Sequence, residues 1–152
     1  MANPTCEICS ALDNEPNNFI ETEHWRVNLA LDQAYLGRCY VTLKSHKPSL
    51  SSLTAVEWTE LHHLIQSLES ACSQAFGATL FNWSCLTNNA FKESPYNPHV
   101  HWHFRPRYEQ PVNFADVAFV DPEFGHHYDS ARKQPLAPEL IQQISAALRQ
   151  FL

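Results

Sequence analysis

Short runs in which apolar and polar residues alternate occupy the first fifty positions and return between residues 80 and 105. Between these regions apolar residues recur every three or four positions. Phe19–Thr22, Trp25–Leu31 and Cys39–Lys44 read as three strands, with breaks at Glu23-His24 and at the Leu36-Gly37 turn. Thr54-x-x-Glu57 is a capping box, and Trp58, Leu61, Ile65, Leu68, Cys72 and Phe76 form the stripe of a helix ending at Gly77. Leu80–Leu86 and Val100–Arg105 read as two further strands around a loop at Thr87–Pro98. Pro111–Pro135 carries few periodic signals. Pro138 then opens a second helix through Leu140, Ile141, Ile144, Leu148 and Phe151. This order predicts an α+β fold: an antiparallel sheet of about five strands with a central helix and a C-terminal helix.

The 152 residues suffice for one domain with its own core, and 44% hydrophobic and 12% aromatic content exclude a disordered tail. Ten basic against sixteen acidic residues give a net charge of −6. That balance argues against broad nucleic-acid or anionic-membrane binding, while leaving room for a small polyanion in a local basic pocket. No basic leader followed by an apolar run opens the chain, and no stretch of eighteen apolar residues occurs, so the expected location is the cytoplasm. In a reducing compartment five cysteines imply no disulfides. Cys39, Cys72 and Cys85 lie in apolar surroundings, and Cys6-x-x-Cys9 reads as a metal clip or a redox pair.

The chemistry concentrates in "NPHVHWHFRPRY", Asn97 to Tyr108. On a strand His99, His101 and His103 share one face, roughly 6.6 to 7 Å apart in sequence, while Val100, Trp102 and Phe104 face the other way. A row of imidazoles at that spacing suits a metal centre or a catalytic row. A neutral imidazole is nucleophilic near pH 7, and one ring nitrogen can attack while the other is held by a carbonyl.

"HVHWHFRPRY" resembles the histidine triad signature, His-φ-His-φ-His-φ-φ with φ apolar, followed by Pro-Arg. The likeness extends to Cys6-x-x-Cys9, to Gly-x-x-x-Val-x-x-Lys-x-His at Gly37–His46, to the central helix and to Asn88. It implies a dimeric α+β nucleotidyl hydrolase or transferase acting on the α-phosphate of nucleotide conjugates, with a preference for purines. His101 is then the nucleophile that forms a covalent nucleotidyl-histidine. His103 contacts phosphate oxygens or the departing group, and Asn88 lies near the phosphate. The branch of the family with the cysteine pair implies structural zinc on Cys6, Cys9, His46 and His99. A four-ligand set of this type leaves no open position on the metal. A redox role for the cysteines would need a thioredoxin-like βαβ context, which the sequence lacks.

The chain departs from that pattern at three places. Gly37-Arg38 stands where many members have Gly-His to support the nucleophile, Ser94-Pro95 replaces a Gly-Gln, and Arg105 takes the last apolar position. Arg105 is a phosphate ligand or an ion-pair partner. Asp32 is a ribose ligand or a turn-former. His62-His63 reads as a solvated or half-buried helical pair, and His126-His127 as a surface loop. Two other functions fit the same residues: a non-catalytic nucleotide-binding protein, and a metallohydrolase with its metal on all three triad histidines.

Overall fold

The computed structural model describes residues 5–14 and 17–152. Helix α1 (Glu7–Asn14) precedes β1 (Asn18–Glu21), β2 (Trp25–Leu29) and β3 (Cys39–Leu43); α2 (Ala55–Phe76), β4 (Leu80–Cys85) and β5 (His101–Arg107) follow. A small hairpin, β6 (Val112–Phe114) and β7 (Val117–Phe119), comes before α3 (Pro138–Arg149). The first five strands form one antiparallel sheet in the order β1-β2-β3-β5-β4, so the fold is α+β as expected.

Pairing between strands gives the sheet two unlike faces. Val27 lies opposite Val41, and Val41 opposite Trp102; Cys39 lies opposite Phe104, and Phe104 opposite Trp83. That face is apolar and belongs to the same core as Leu61, Leu64, Leu68 and Phe76 of α2 and Ile141, Ile144 and Leu148 of α3. Each fully buried Leu or Ile side chain contributes about 1.5–3 kcal/mol. The other face carries Asn28, Tyr40, His103 and Ser84 in one row and Arg26, Thr42 and His101 in the next.

The capping box forms as the sequence predicts, with Thr54 accepting from the Glu57 N–H and the Glu57 carboxylate accepting from the Thr54 N–H. Burial alone would raise the Glu57 carboxyl, but Lys47 at 2.6 Å and the Thr54 bonds outweigh it and hold it at about 2. Gly77 ends α2 in the left-handed conformation at φ 77°. Gly37, at φ 81°, has a second constraint: a Cβ there would come within 3.2 Å of Cys72 Sγ and 3.3 Å of Pro106 Cγ.

Several sequence expectations shift. Trp58 is 41% exposed and Leu64, not Ile65, completes the buried stripe of α2. The fifth strand begins at His101 and runs to Arg107, so His99 and Val100 precede it. α1 and the β6–β7 hairpin were not foreseen. The hairpin turns on Ala115 (φ 48°) and Asp116 (φ 62°), a conformation for which sequence usually supplies Asn-Gly.

Candidate functional site

Two walls and a floor enclose a large pocket on the polar face of the sheet. Its floor includes Asn28, Tyr40, Thr42, His101 and His103; one wall is α1 with Thr5 and Cys6, and the other is the loop carrying Asn88. Asn88 itself starts a short 3-10 turn, Asn88–Phe91, inside the segment read as plain loop.

At one end of this pocket Cys6, Cys9, His46 and His99 bring one donor atom each to within 4.8 Å of one another. His99 Nδ1 is 3.5 Å from Cys6 Sγ and 3.4 Å from Cys9 Sγ, and His46 Nδ1 is 3.6 Å from Cys9 Sγ. A tetrahedral zinc with roughly 2.3 Å bonds to sulfur and 2.0–2.1 Å bonds to nitrogen has sulfur–nitrogen edges of about 3.5 Å. The donor set therefore fits zinc in both chemistry and size. His99 Nε2 lies 2.7 Å from the Leu43 carbonyl, which can only accept, so Nε2 carries the proton and Nδ1 turns its lone pair to the thiols. Burial pushes the pKa of the His99 imidazole down, in keeping with a neutral ligand. Because His99 turns to the cysteines, the geometry does not favour one metal on all three triad histidines.

The same carbonyl argument fixes His101. Its Nδ1 lies 2.9 Å from the His99 backbone oxygen, so Nδ1 donates and Nε2 keeps a free lone pair. His103 follows, with ring centroids 5.0 Å apart. Burial first, and then the charges of His101, Arg105 and Arg38, lower its pKa to about 4, so it is neutral near pH 7.

Arg38, in place of the supporting histidine, does not reach His101. It pairs with Asp32 at 2.6 Å and donates to the Tyr40 hydroxyl at 3.1 Å, and the Tyr40 ring stands 5.1 Å from the His103 ring. Asp32 also accepts the Ala34 and Gln134 N–H groups, which makes it a turn-former and a counterion to Arg38. Asp32, Arg38 and Arg105 are all absent from the residues that line the pocket.

Arg105 does not form the expected alternative ion pair: it takes part in none of those among the described residues. Its guanidinium lies 4.1 Å from the Tyr128 ring. Sequence reasoning missed Arg107, which is fully buried and makes five hydrogen bonds, two of them to Asp121. His62 and His63 are exposed on α2, and His126 and His127 are exposed in a loop.

No protein-family model matches the chain, and no curated protein matches it. Solved structures do match. A Hit-like protein involved in cell-cycle regulation from Bartonella henselae is 17% identical over all of both chains, with a TM-score of 0.70. A zinc-bound histidine triad family protein from Mycobacterium smegmatis is 20% identical over 96% of this chain and 94% of its own, at a TM-score of 0.64. A uridylyltransferase is 18% identical over 97% of this chain but only 46% of its own, at 0.66. The chain has the histidine triad fold.

Proposed function

We propose that this protein is a nucleotide-binding hydrolase or transferase of the histidine triad family that acts on the α-phosphate of nucleotide conjugates, with purine nucleotides preferred. The observation that carries this reading is the carbonyl lock on His101, which leaves Nε2 as a free nucleophile on the pocket floor. Nε2 attacks phosphorus; the new P–N bond forms as the bond from phosphorus to the leaving group breaks, and the leaving group departs with the electron pair and takes up a proton. Water or another acceptor then attacks phosphorus, and Nε2 recovers its lone pair. His103, neutral and on the same face, contacts the phosphate or the departing group, and Asn88 contributes from the loop wall. Zinc, when bound by Cys6, Cys9, His46 and His99, supplies structure: it ties α1 to the sheet.

Rapid quench with an α-labelled nucleotide conjugate tests the reading. Wild type should carry acid-labile, base-stable label, and His101→Ala should lose both label and turnover while keeping nucleotide affinity within about tenfold. Turnover by His101→Ala at the wild-type rate sinks covalent catalysis at this residue. Bound nucleotide with no turnover by wild type favours a non-catalytic nucleotide-binding protein.

We further propose a cytoplasmic homodimer. β4 pairs on one side only, and Val56 and Trp58 of α2 are exposed. Light scattering should report twice the 17.4 kDa chain; a monomer at micromolar concentration contradicts this.

A further inference from the structure

Buried polar side-chain atoms without a hydrogen-bond partner are confined almost wholly to one face of the sheet. Among the described residues they belong to Asn18, Arg26, Asn28, Arg38, Ser84, Trp102, His103 and Arg105. All but Trp102 lie on the histidine face by strand register: Asn18 opposite Asn28, Asn28 opposite Tyr40, Tyr40 opposite His103, His103 opposite Ser84, and Arg26 opposite Thr42. One step beyond the Cys39–Phe104 pair stand Arg38 and Arg105, close enough for the charge of Arg38 to act on Arg105, with Asn82 opposite Arg105. Buried polar groups are ordinarily satisfied, so such a concentration on one face points to a ligand.

The two arginines are the extreme case. Arg105 is 7% exposed and Arg38 9%, and each has a buried guanidinium nitrogen without an acceptor. Asp32, the carboxylate that pairs with Arg38, also accepts from two backbone N–H groups and lies 3.5 Å from Lys133. Tyr128 stacks on the Arg105 guanidinium but accepts none of its N–H groups. A buried cation without an anion destabilises the fold, and an apolar side chain of similar volume would pack the same space without that penalty. Packing therefore does not account for Arg105.

We propose that Arg105, with Arg38 beside it, forms a subsite for a second anionic group of the substrate, a phosphate beyond the one attacked by His101, so that nucleoside polyphosphate conjugates are selected over conjugates with uncharged leaving groups. This rests on the nucleotide reading given above. Neither arginine is among the residues that line the pocket; Arg105 follows His103, which does line it, by two residues on the same face, roughly 6.6 to 7 Å along the strand. An arginine fork matches phosphate oxygens and stays charged at every working pH.

Calorimetric titration of the zinc-loaded protein with adenosine monophosphate, α,β-methylene adenosine diphosphate and inorganic pyrophosphate tests the subsite. Wild type should bind the diphosphate analogue at least about tenfold more tightly than the monophosphate, the worth of one good charge-assisted contact. Arg105→Met should bring the two affinities within about twofold by weakening only the diphosphate, and Arg105→Lys should fall between. Equal affinities in wild type overturn the proposal without recourse to any variant. A preference that survives Arg105→Met overturns it as well. If neither nucleotide binds while pyrophosphate binds wild type and not Arg105→Met, the subsite stands and the nucleotide reading falls. Failure of all three probes to bind rejects the subsite.

Discussion

Arg107→Met removes the cation from a buried side chain that makes five hydrogen bonds. The guanidinium gives Nε and Nη2 to the two Asp121 carboxylate oxygens at 2.6 and 3.0 Å, Nη1 to Asn82 Oδ1 and the His126 carbonyl, and Nη2 again to the Glu123 carbonyl. The side chains of Arg107 and Asp121 are 1% and 2% exposed. Methionine fills much of the volume but leaves the carboxylate buried with only the Tyr108 N–H at 3.2 Å. Breaking a buried pair in this way costs about 3–5 kcal/mol. For a chain of this length that is a loss of roughly 6–20 °C in Tm, at about 2–4 °C per kcal/mol. Urea unfolding of wild type, Arg107→Met, Asp121→Leu and the double variant separates pairing from packing. The double variant should recover most of the loss, since apolar replacement of a whole buried pair is often neutral. A single variant within about 1 kcal/mol of wild type, or a double variant no better than Arg107→Met, refutes the argument from an uncompensated carboxylate.

The protein should purify with about one zinc per chain, and Cys6→Ser should lose the metal; with free zinc a thousandfold above Kd the site adds about 4 kcal/mol, or roughly 8–16 °C in Tm. Chelation that leaves the wild-type Tm unchanged contradicts the structural site. Stability should also depend on pH through His103. Its folded pKa of about 4 lies below the unfolded value, so the neutral ring's contribution is full above about pH 6.5 and is lost as pH falls towards 4. The difference in unfolding free energy between wild type and His103→Gln, in which the zinc ligands cancel, should therefore shift against wild type by up to about 3 kcal/mol across that window. A difference that stays flat from pH 7 to 4 excludes it.

What the sequence discloses follows the range of the interactions involved. The capping box and C-terminal glycine of α2 are local, and both were legible within four residues of the bond they make. The four clustered metal-type donors were legible for a different reason. Cysteine and histidine are rare and chemically specific, so Cys6, Cys9, His46 and His99 could be grouped by resemblance although 93 residues separate Cys6 from His99. Arginine has no such signature. Arg105 and Arg107 look alike in sequence, yet Arg107 is saturated by Asp121 and by the carbonyls of Glu123 and His126, whereas Arg105 has an aromatic ring against its guanidinium and, among the described residues, no ion pair. The deciding partners lie in the segment after residue 120, where periodicity is silent. The hairpin at Ala115-Asp116 was hidden because neither residue is the glycine or asparagine that ordinarily marks a turn with two positive φ values.

The triad itself shows how three copies of one side chain acquire different chemistry from the groups behind the strand. Leu43 fixes the proton of His99 on Nε2 and so aims Nδ1 at the cysteines. The backbone oxygen of His99 fixes the proton of His101 on Nδ1 and leaves Nε2 with a free lone pair. His103 has no carbonyl on its Nδ1 and is kept neutral by burial and neighbouring cations. The orientation proposed for the His101 nucleophile would therefore be set by the main chain of His99, one of the four residues that fit zinc. A metal held by the His99 ring would restrain that carbonyl too. The tautomer of His101 is already determined from its own strand, so Arg38 is free to pair with Asp32 and buttress Tyr40 against His103.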